Sequence, residues 1–252
     1  MRRDVRILLA TACFGALMAW GPRVPEALVD LEIFRIDHVD VRGNRYLQEE
    51  EVVALLALAP ETSVWSDKDV WHDRVAAHPL VKSVRVGRRL PGGLQITVTE
   101  RTPIALGPTP TLEPMDAEGR RLPLDPAAFR LDLPVIHTDR RPPRGSRHFP
   151  SEVRKLAAEV EHLMATDTSF LQLVSSVSWT PSGALSVHWS DPNVEFLLPS
   201  HASPARLREG LTALADAASK ARTGMPSAID LRFADQVVVR RPVSTHRSVE
   251  LD

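Results

Sequence analysis

Three adjacent carboxylates (Glu49, Glu50, Glu51), nine histidines and one cysteine, Cys13, are the side chains here that could hold a metal or attack a substrate. Their spacing argues against both uses. Neighbouring helix positions point in different directions, so three carboxylates in a row suit the first turn of a helix, where negative charge meets the macrodipole. No two histidines stand at the i, i+4 spacing of a helical zinc site. A lone cysteine excludes an intrachain disulfide and a cysteine-based zinc site. Neither a GxSxG nucleophile elbow nor a GxxxxGK[ST] phosphate loop occurs. Trp179 and Trp189 sit in alternating stretches and read as core. Arg140, Arg141, Arg144 and Arg147 share the stretch "DRRPPRGSRHFP", which reads as a solvated loop, with a docking surface for acidic groups as the alternative. The residue types therefore point to surfaces rather than to catalysis: no enzyme, no cofactor, no metal and no small-molecule substrate.

The bulk properties agree. The chain has 252 residues, a net charge of -1 and a pI near 6.8, so nothing electrostatic favours nucleic acid. With 43% hydrophobic residues it can bury real cores, and its length suits one or two domains. The opening "MRRDVR" carries three arginines and precedes an uncharged apolar run from Ile7 to Trp20. Three readings compete: a membrane anchor, a cleaved signal peptide, and a lipoprotein signal with Cys13 as the lipidated residue. Arginines stay on the cytoplasmic side, and Arg6 and Trp20 suit the two interfaces of a short span. Cleavage after Ala19 would place bulky Leu17 where a small residue is wanted. Ala10 stands where a lipoprotein signal needs leucine. The favoured reading is a single span over residues 7–23, with residues 1–6 cytoplasmic and the rest of the chain outside the cytoplasm.

The elements that must carry the surfaces follow in order. Ile36, Val39 and Val41 alternate as a strand before a turn at Gly43-Asn44. Val52, Leu55, Leu56 and Ala59 share one face of a predicted helix. Trp71 and Val75 share another, capped by Ser66 or Asp67 and ended at Pro79. Val84 and Val86, then Leu94, Ile96 and Val98, form two strands joined by "LPGG". The order strand, helix, helix, strand, strand makes a two-layer unit with one core. Beyond it come a hairpin around Asp116–Gly119, a short strand "LPVIHT", and a helix with the stripe Val153, Leu156, Ala157, Val160 and Leu163. Three alternating strands across residues 174–198 follow, then a helix capped by Ser203 with the stripe Leu207, Leu211, Leu214 and Ala218.

The final strand signal is "IDLRFADQVVVR". Ile229, Leu231 and Phe233 alternate with Asp230 and Arg232; Val237 and Val239 alternate with Gln236, Val238 and Arg240. Ile229, Leu231 and Phe233 are expected in the core, with Asp230 and Arg232 on the other face. A closing strand often lies at a sheet edge, whose unpaired backbone groups are either protected or used. Proline at Val238 is expected to remove an edge donor.

Taken together, "VDVRGNRYLQEEEVVALL", "HPLVKSVRVGRRLPGGLQITVTERTPIAL", "MDAEGRRLPLD", "LPVI" and "IDLRFADQVVVR" resemble the bacterial cell-division family FtsQ, called DivIB in other lineages. The resemblance implies an α+β chain. It would comprise a single membrane-spanning helix, a POTRA domain (β-α-α-β-β) over residues 35–104, and an FtsQ-type β domain over residues 105–242. That second domain would have a mostly antiparallel sheet with flanking helices, and a polar tail would occupy residues 243–252. It further implies a non-enzymatic divisome scaffold in the inner membrane, enriched at the division septum, that links early and late division proteins. An FtsB-like protein, travelling with an FtsL-like one, would bind the C-terminal strand. By position, Arg232, Phe233, Gln236, Val238 and Arg240 are the residues expected to meet it. Other divisome components, and the bilayer through the N-terminal helix, complete the implied partners. The chain departs from the family pattern at Pro199, often glycine, and at Arg206 and Arg208, more usually lysine. Two other readings stay open: a POTRA-containing outer-membrane assembly or secretion factor, and a periplasmic hydrolase.

Overall fold

The computed structural model describes residues 31–108, 112–138, 143, 145–220 and 225–241. The N-terminal apolar run with Cys13, the residues Arg140, Arg141 and Arg144, and the polar tail lie outside the described residues. No helix among the described residues is long and apolar enough to cross a membrane. The chain divides into two compact units, residues 1–101 and 102–252.

In the first unit a 3-10 turn (Glu32–Phe34) precedes β1 (His38–Arg42), α1 (Glu49–Leu56), α2 (Lys68–Ala76), β2 (Val81–Arg89) and β3 (Gly93–Glu100). The sheet order is β1-β3-β2, with β3 parallel to β1 and antiparallel to β2. A parallel pair requires a long crossover, and the helices provide it. Val52, Leu56, Trp71 and Val75 on the helices are buried with Leu94, Ile96 and Val98 on β3. The three glutamates begin α1, where Glu51 accepts the Gln48 N–H (2.9 Å) in a capping box. Left-handed Ala57 ends α1, so Ala59, in phase with Val52 on a helical wheel, falls beyond the helix and is exposed. Gly43 has φ +80°, and a Cβ there would lie 2.2 Å from the Val98 carbonyl oxygen, so only glycine fits. At the far end of β3, the Glu100 carboxylate accepts the N–H groups of Tyr46 (2.8 Å) and Leu47 (3.0 Å), fastening the β1–α1 loop to the sheet.

Register fixes the direction of travel. His38 and Arg89 both lie beside Gly93, whereas Glu100 lies beside Val81. The chain therefore enters the unit at the end carrying the β2–β3 turn and leaves it at the opposite end.

The second unit contains β4 (Ala105–Leu106), β5 (Pro114–Met115), β6 (Val135–Ile136), α3 (Ser151–Thr166), α4 (Thr168–Leu171), β7 (Val174–Trp179), β8 (Leu185–Trp189), β9 (Val194–Leu198), α5 (Pro204–Ser219), β10 (Ala228–Asp230) and β11 (Val238–Arg240). Its sheet runs β11-β10-β9-β8-β7-β6-β4-β5. Four neighbouring pairs are antiparallel and three parallel, so the sheet is mixed rather than mostly antiparallel. The parallel pairs β6–β7 and β9–β10 each span a helical crossover, which a hairpin cannot make. The helix stripes meet the sheet as their spacing predicts. Val153, Leu156, Ala157, Val160 and Leu163 of α3, with Leu207 and Leu214 of α5, join Val177, Leu185, Val187, Phe196 and Ile229 in one core. Phe170, Trp189 and Phe196 pack with ring centroids 4.7–5.2 Å apart. Trp189 is thus core, while Trp179 is half-exposed.

Candidate partner-binding edge

The C-terminal stretch is not one strand but a hairpin of two. β10 runs parallel to β9 and is covered on its other side by β11, which turns back antiparallel. The single edge strand read from "IDLRFADQVVVR" is therefore corrected: Ile229 and Leu231 belong to an interior strand and the segment after it, and the edge is β11. Alternation broke at Phe233, where the chain turns. Phe233 is 45% exposed and not in the core, because residues 232–236 form the connection between the strands. Alternation then resumes, with Val237 and Val239 packed against the core and Gln236, Val238 and Arg240 outward.

Asp230 departs furthest from a solvent-facing polar position. It is 1% exposed. Its carboxylate accepts from Arg232 Nε (2.8 Å), Arg232 Nη2 (2.7 Å) and Arg240 Nη2 (3.2 Å). The bidentate Arg232 contact satisfies most of the buried charge, and Arg240 ties β11 to β10. The hydrogen bonds from Arg232 hold the Asp230 carboxyl below its usual value against the opposing effect of burial. Sequence reasoning assigned Asp230 only a face. The available signal was an acid at a strand position with arginines at alternating places, Arg232 and Arg240.

A second device comes from α5. Arg206 donates through Nε to the Leu231 carbonyl (3.0 Å) and through Nη2 to the carbonyls of Gln236 (2.6 Å) and Phe233. It also pairs with Glu209. One guanidinium thus ties the whole β10–β11 connection to the helix. Gly210, a turn further on, lets Leu231 approach: a Cβ there would stand 2.5 Å from Leu231 Cδ1. A groove of about 780 Å³ lies between this helix and the connection, lined by Arg206, Arg208, Thr212, Asp235, Gln236 and Val237 among others.

Backbone direction decides which groups are free. Glu195 donates its N–H to the Ser227 carbonyl (3.0 Å), and Leu231 donates to the Leu197 carbonyl (2.8 Å). Ser227 bridges both neighbours, since its own N–H donates to the Arg240 carbonyl (2.9 Å). Beyond it backbone groups alternate along the strand, so Ile229 and Leu231 address β9 while Ala228 and Asp230 address β11. Their register partners are Arg240 and Val238. The backbone groups of Val238 and Arg240 therefore point inward, and those of Val239 point to the open side. Proline at Val238 would break the β10–β11 pair itself, so the expectation that it tests the outer edge is corrected to Val239. Among the described residues no strand pairs with the outer side of β11.

The hairpin brings all five sequence-predicted residues together. Arg232 is committed to Asp230, with Ser182 Oγ at 3.3 Å and its guanidinium 5.8 Å from the Phe233 ring centroid. Phe233, Val238 (36% exposed) and Gln236 present side chains to solvent, and Arg240 is half-exposed while it pairs with Asp230. Of the arginine loop, Arg147 is described, and its carbonyl accepts the Arg121 N–H (2.9 Å).

Comparison with known proteins identifies the frame. Residues 34–101 match the POTRA domain, FtsQ-type. The cell division protein FtsQ of Rhodothermus marinus is 29% identical over 229 residues, covering 86% of this chain and 82% of the relative. FtsQ of Salinibacter ruber is 29% identical over 222 residues, covering 82% and 83%. The chain belongs to the FtsQ/DivIB family. The likeness also reaches a protein named DivIB: that of Geobacillus kaustophilus is 33% identical over 72 residues, covering 28% of this chain and 27% of the relative. FtsQ/DivIB proteins are non-enzymatic. Glu100 is then a structural residue, which ends β3 and holds the β1–α1 loop.

Proposed function

We propose that this chain is a scaffold of the bacterial division machinery, anchored in the inner membrane by residues 7–23 and enriched at the septum. It links early and late division proteins and presents the outer edge of β11 to a strand from an FtsB-like partner that travels with an FtsL-like protein. The supporting observation is the state of that edge: β11 ends the larger sheet with Val239 backbone groups directed outward. An added strand satisfies such groups, and side chains beside the edge supply selectivity. Phe233, Gln236, Val238 and Arg240 are those side chains, with Arg232 holding the hairpin. The groove beside α5 offers room for the segment that follows or precedes the added strand.

The test is titration of the full-length chain in nanodiscs with the partner's extracytoplasmic segment, comparing wild type with Val239→Pro. Circular dichroism first confirms that the variant is folded. Proline removes the outward donor and leaves the inward donors of Val238 and Arg240 in place. Binding is expected to be lost. A folded Val239→Pro chain that binds as tightly as wild type would exclude this edge.

A further inference from the structure

The first unit concentrates exposed apolar side chains at one end. Four large hydrophobic residues of its described part are exposed: Leu31 (48%), Ile33 (65%), Val70 and Leu90 (58%). Leu31 and Ile33 flank and occupy the 3-10 turn by which the chain enters, and Leu90 is in the β2–β3 turn. These two places adjoin. Asp37 donates its N–H to the Gly92 carbonyl (2.9 Å), and a Cβ on Gly92 would lie 2.6 Å from the Arg35 carbonyl oxygen.

The same end is basic. Arg89 donates to Gln95 Oε1 (2.8 Å), and Arg88 donates to the carbonyls of Val64 and Ser66 (3.1 Å for the latter) while lying 5.6 Å from the Trp65 ring centroid. These are neutral acceptors, so the positive charge of both arginines stays available. The carboxylates of this end have partners of their own: Glu32 lies 3.3 Å from Arg35, and Asp37 lies 2.6 Å from His38. Trp65 stacks edge-on with Phe34 at 5.9 Å, which fixes the turn against the body of the unit.

We infer that this end of the POTRA unit rests on an anionic lipid surface, with Leu31, Ile33 and Leu90 inserted at the interface and Arg88 and Arg89 among the headgroups. The inference rests on the reading of residues 7–23 as the anchor. Seven residues separate the end of that span from Leu31, a reach of at most about 25 Å when fully extended, so the surface that meets the bilayer is the one where the chain enters. Apolar side chains at interfacial depth combined with arginines are the chemistry by which peripheral segments bind anionic bilayers.

The experiment uses the full-length chain reconstituted in liposomes. Single cysteines in a Cys13→Ser background, Leu90→Cys and Ser83→Cys, carry an environment-sensitive dye, and brominated lipid is the quencher. Ser83 is exposed near the far end of β2, the strand that leads into the turn with Leu90, and about 23 Å from Leu90 at 3.3 Å per residue. The dye at Leu90 is expected to be quenched severalfold more than the dye at Ser83 in vesicles containing phosphatidylglycerol, and less when that lipid is replaced by phosphatidylcholine. Equal quenching at the two positions overturns the contact. Equal quenching of Leu90 in both lipids overturns its electrostatic part. Dye on the natural Cys13 reports the anchor separately: shallow quenching there removes the anchor reading, while the Leu90-to-Ser83 comparison still decides whether the surface touches lipid.

Discussion

The two ends of the eight-stranded sheet are finished differently. Beyond β5 the sheet continues through short extended pieces: Met115 bridges to Arg121, Arg120 bridges to His148, and Phe149 donates its N–H to the Gly119 carbonyl (2.9 Å). Arg121 lies 3.9 Å from the Phe149 ring centroid and pairs with Glu113, closing that end with buried aromatic surface and charge. Beyond β11 no described strand follows. There the protein fixes the edge without covering it: Asp230 and Arg240 tie β11 to its neighbour, and Arg206 secures the connecting loop. An edge left open but made rigid is preorganised for pairing, since little ordering remains to be done on binding.

That contrast can be broken from either side. The largest effect is expected at the covered end. Phe149 is 3% exposed, and Phe149→Ala should lower the stability of the second unit by about 3–5 kcal/mol in chemical denaturation. At the open end, Arg206→Ala leaves the carbonyls of Leu231, Phe233 and Gln236 without their donor and should cost about 1–3 kcal/mol. Arg206→Lys should recover only part of this, because an ammonium lacks the planar fork. Partner affinity should fall with Arg206→Ala and remain unchanged in any folded fraction of Phe149→Ala.

Asp230→Asn should have a smaller effect, because both released arginines reach solvent. Its signature is pH dependence. The folded carboxyl titrates below the ordinary value of 3.8, so its contribution is fully present above that pH and drains away as pH falls through the depressed folded value. Thermal midpoints of wild type and Asp230→Asn should therefore differ at neutral pH and converge under acid conditions below about pH 4. Smallest of all is the expected stability change for Phe233→Ala. This side chain is 45% exposed, so unfolding should shift by about 0.5 kcal/mol or less, while partner titration shows a clear loss.

Most of the scaffold was legible in the sequence because one-sided burial imposes a period. The stripes of α3 and α5, and the alternation of Leu94, Ile96 and Val98, point to the core as read. The open edge was harder to read, and Phe233 shows why. Its spacing from Leu231 continues a strand pattern, but local period says nothing about where the chain turns. The hydrogen bonds that end β10 come from Arg206, 25 residues earlier than Leu231. Likewise, the outward-facing residue of β11 is set by the parity of β10 against β9, a pairing between strands separated by a helix. Asp230 was placed on the polar face, yet it is buried, with Arg232 and, from the returning β11, Arg240 on its carboxylate.

The route of the chain through the first unit has a mechanical consequence. β1 and β3 are parallel neighbours, and the chain enters β1 at one end of the pair and leaves β3 at the other. Tension applied between a tether before β1 and a load after Arg101 acts along the two strands in opposite senses. The five register pairs from His38–Gly93 to Arg42–Thr97 then share the shear, rather than parting one at a time as in a peeled hairpin. Resistance to forced opening is governed by the unfolding rate. A ladder loaded in parallel places that barrier higher than one opened from its end. The Glu100 carboxylate, gripping Tyr46 and Leu47 beside the trailing end of β3, adds a further fastening on the line of pull. Pulled between those two points, this small sheet is loaded in shear.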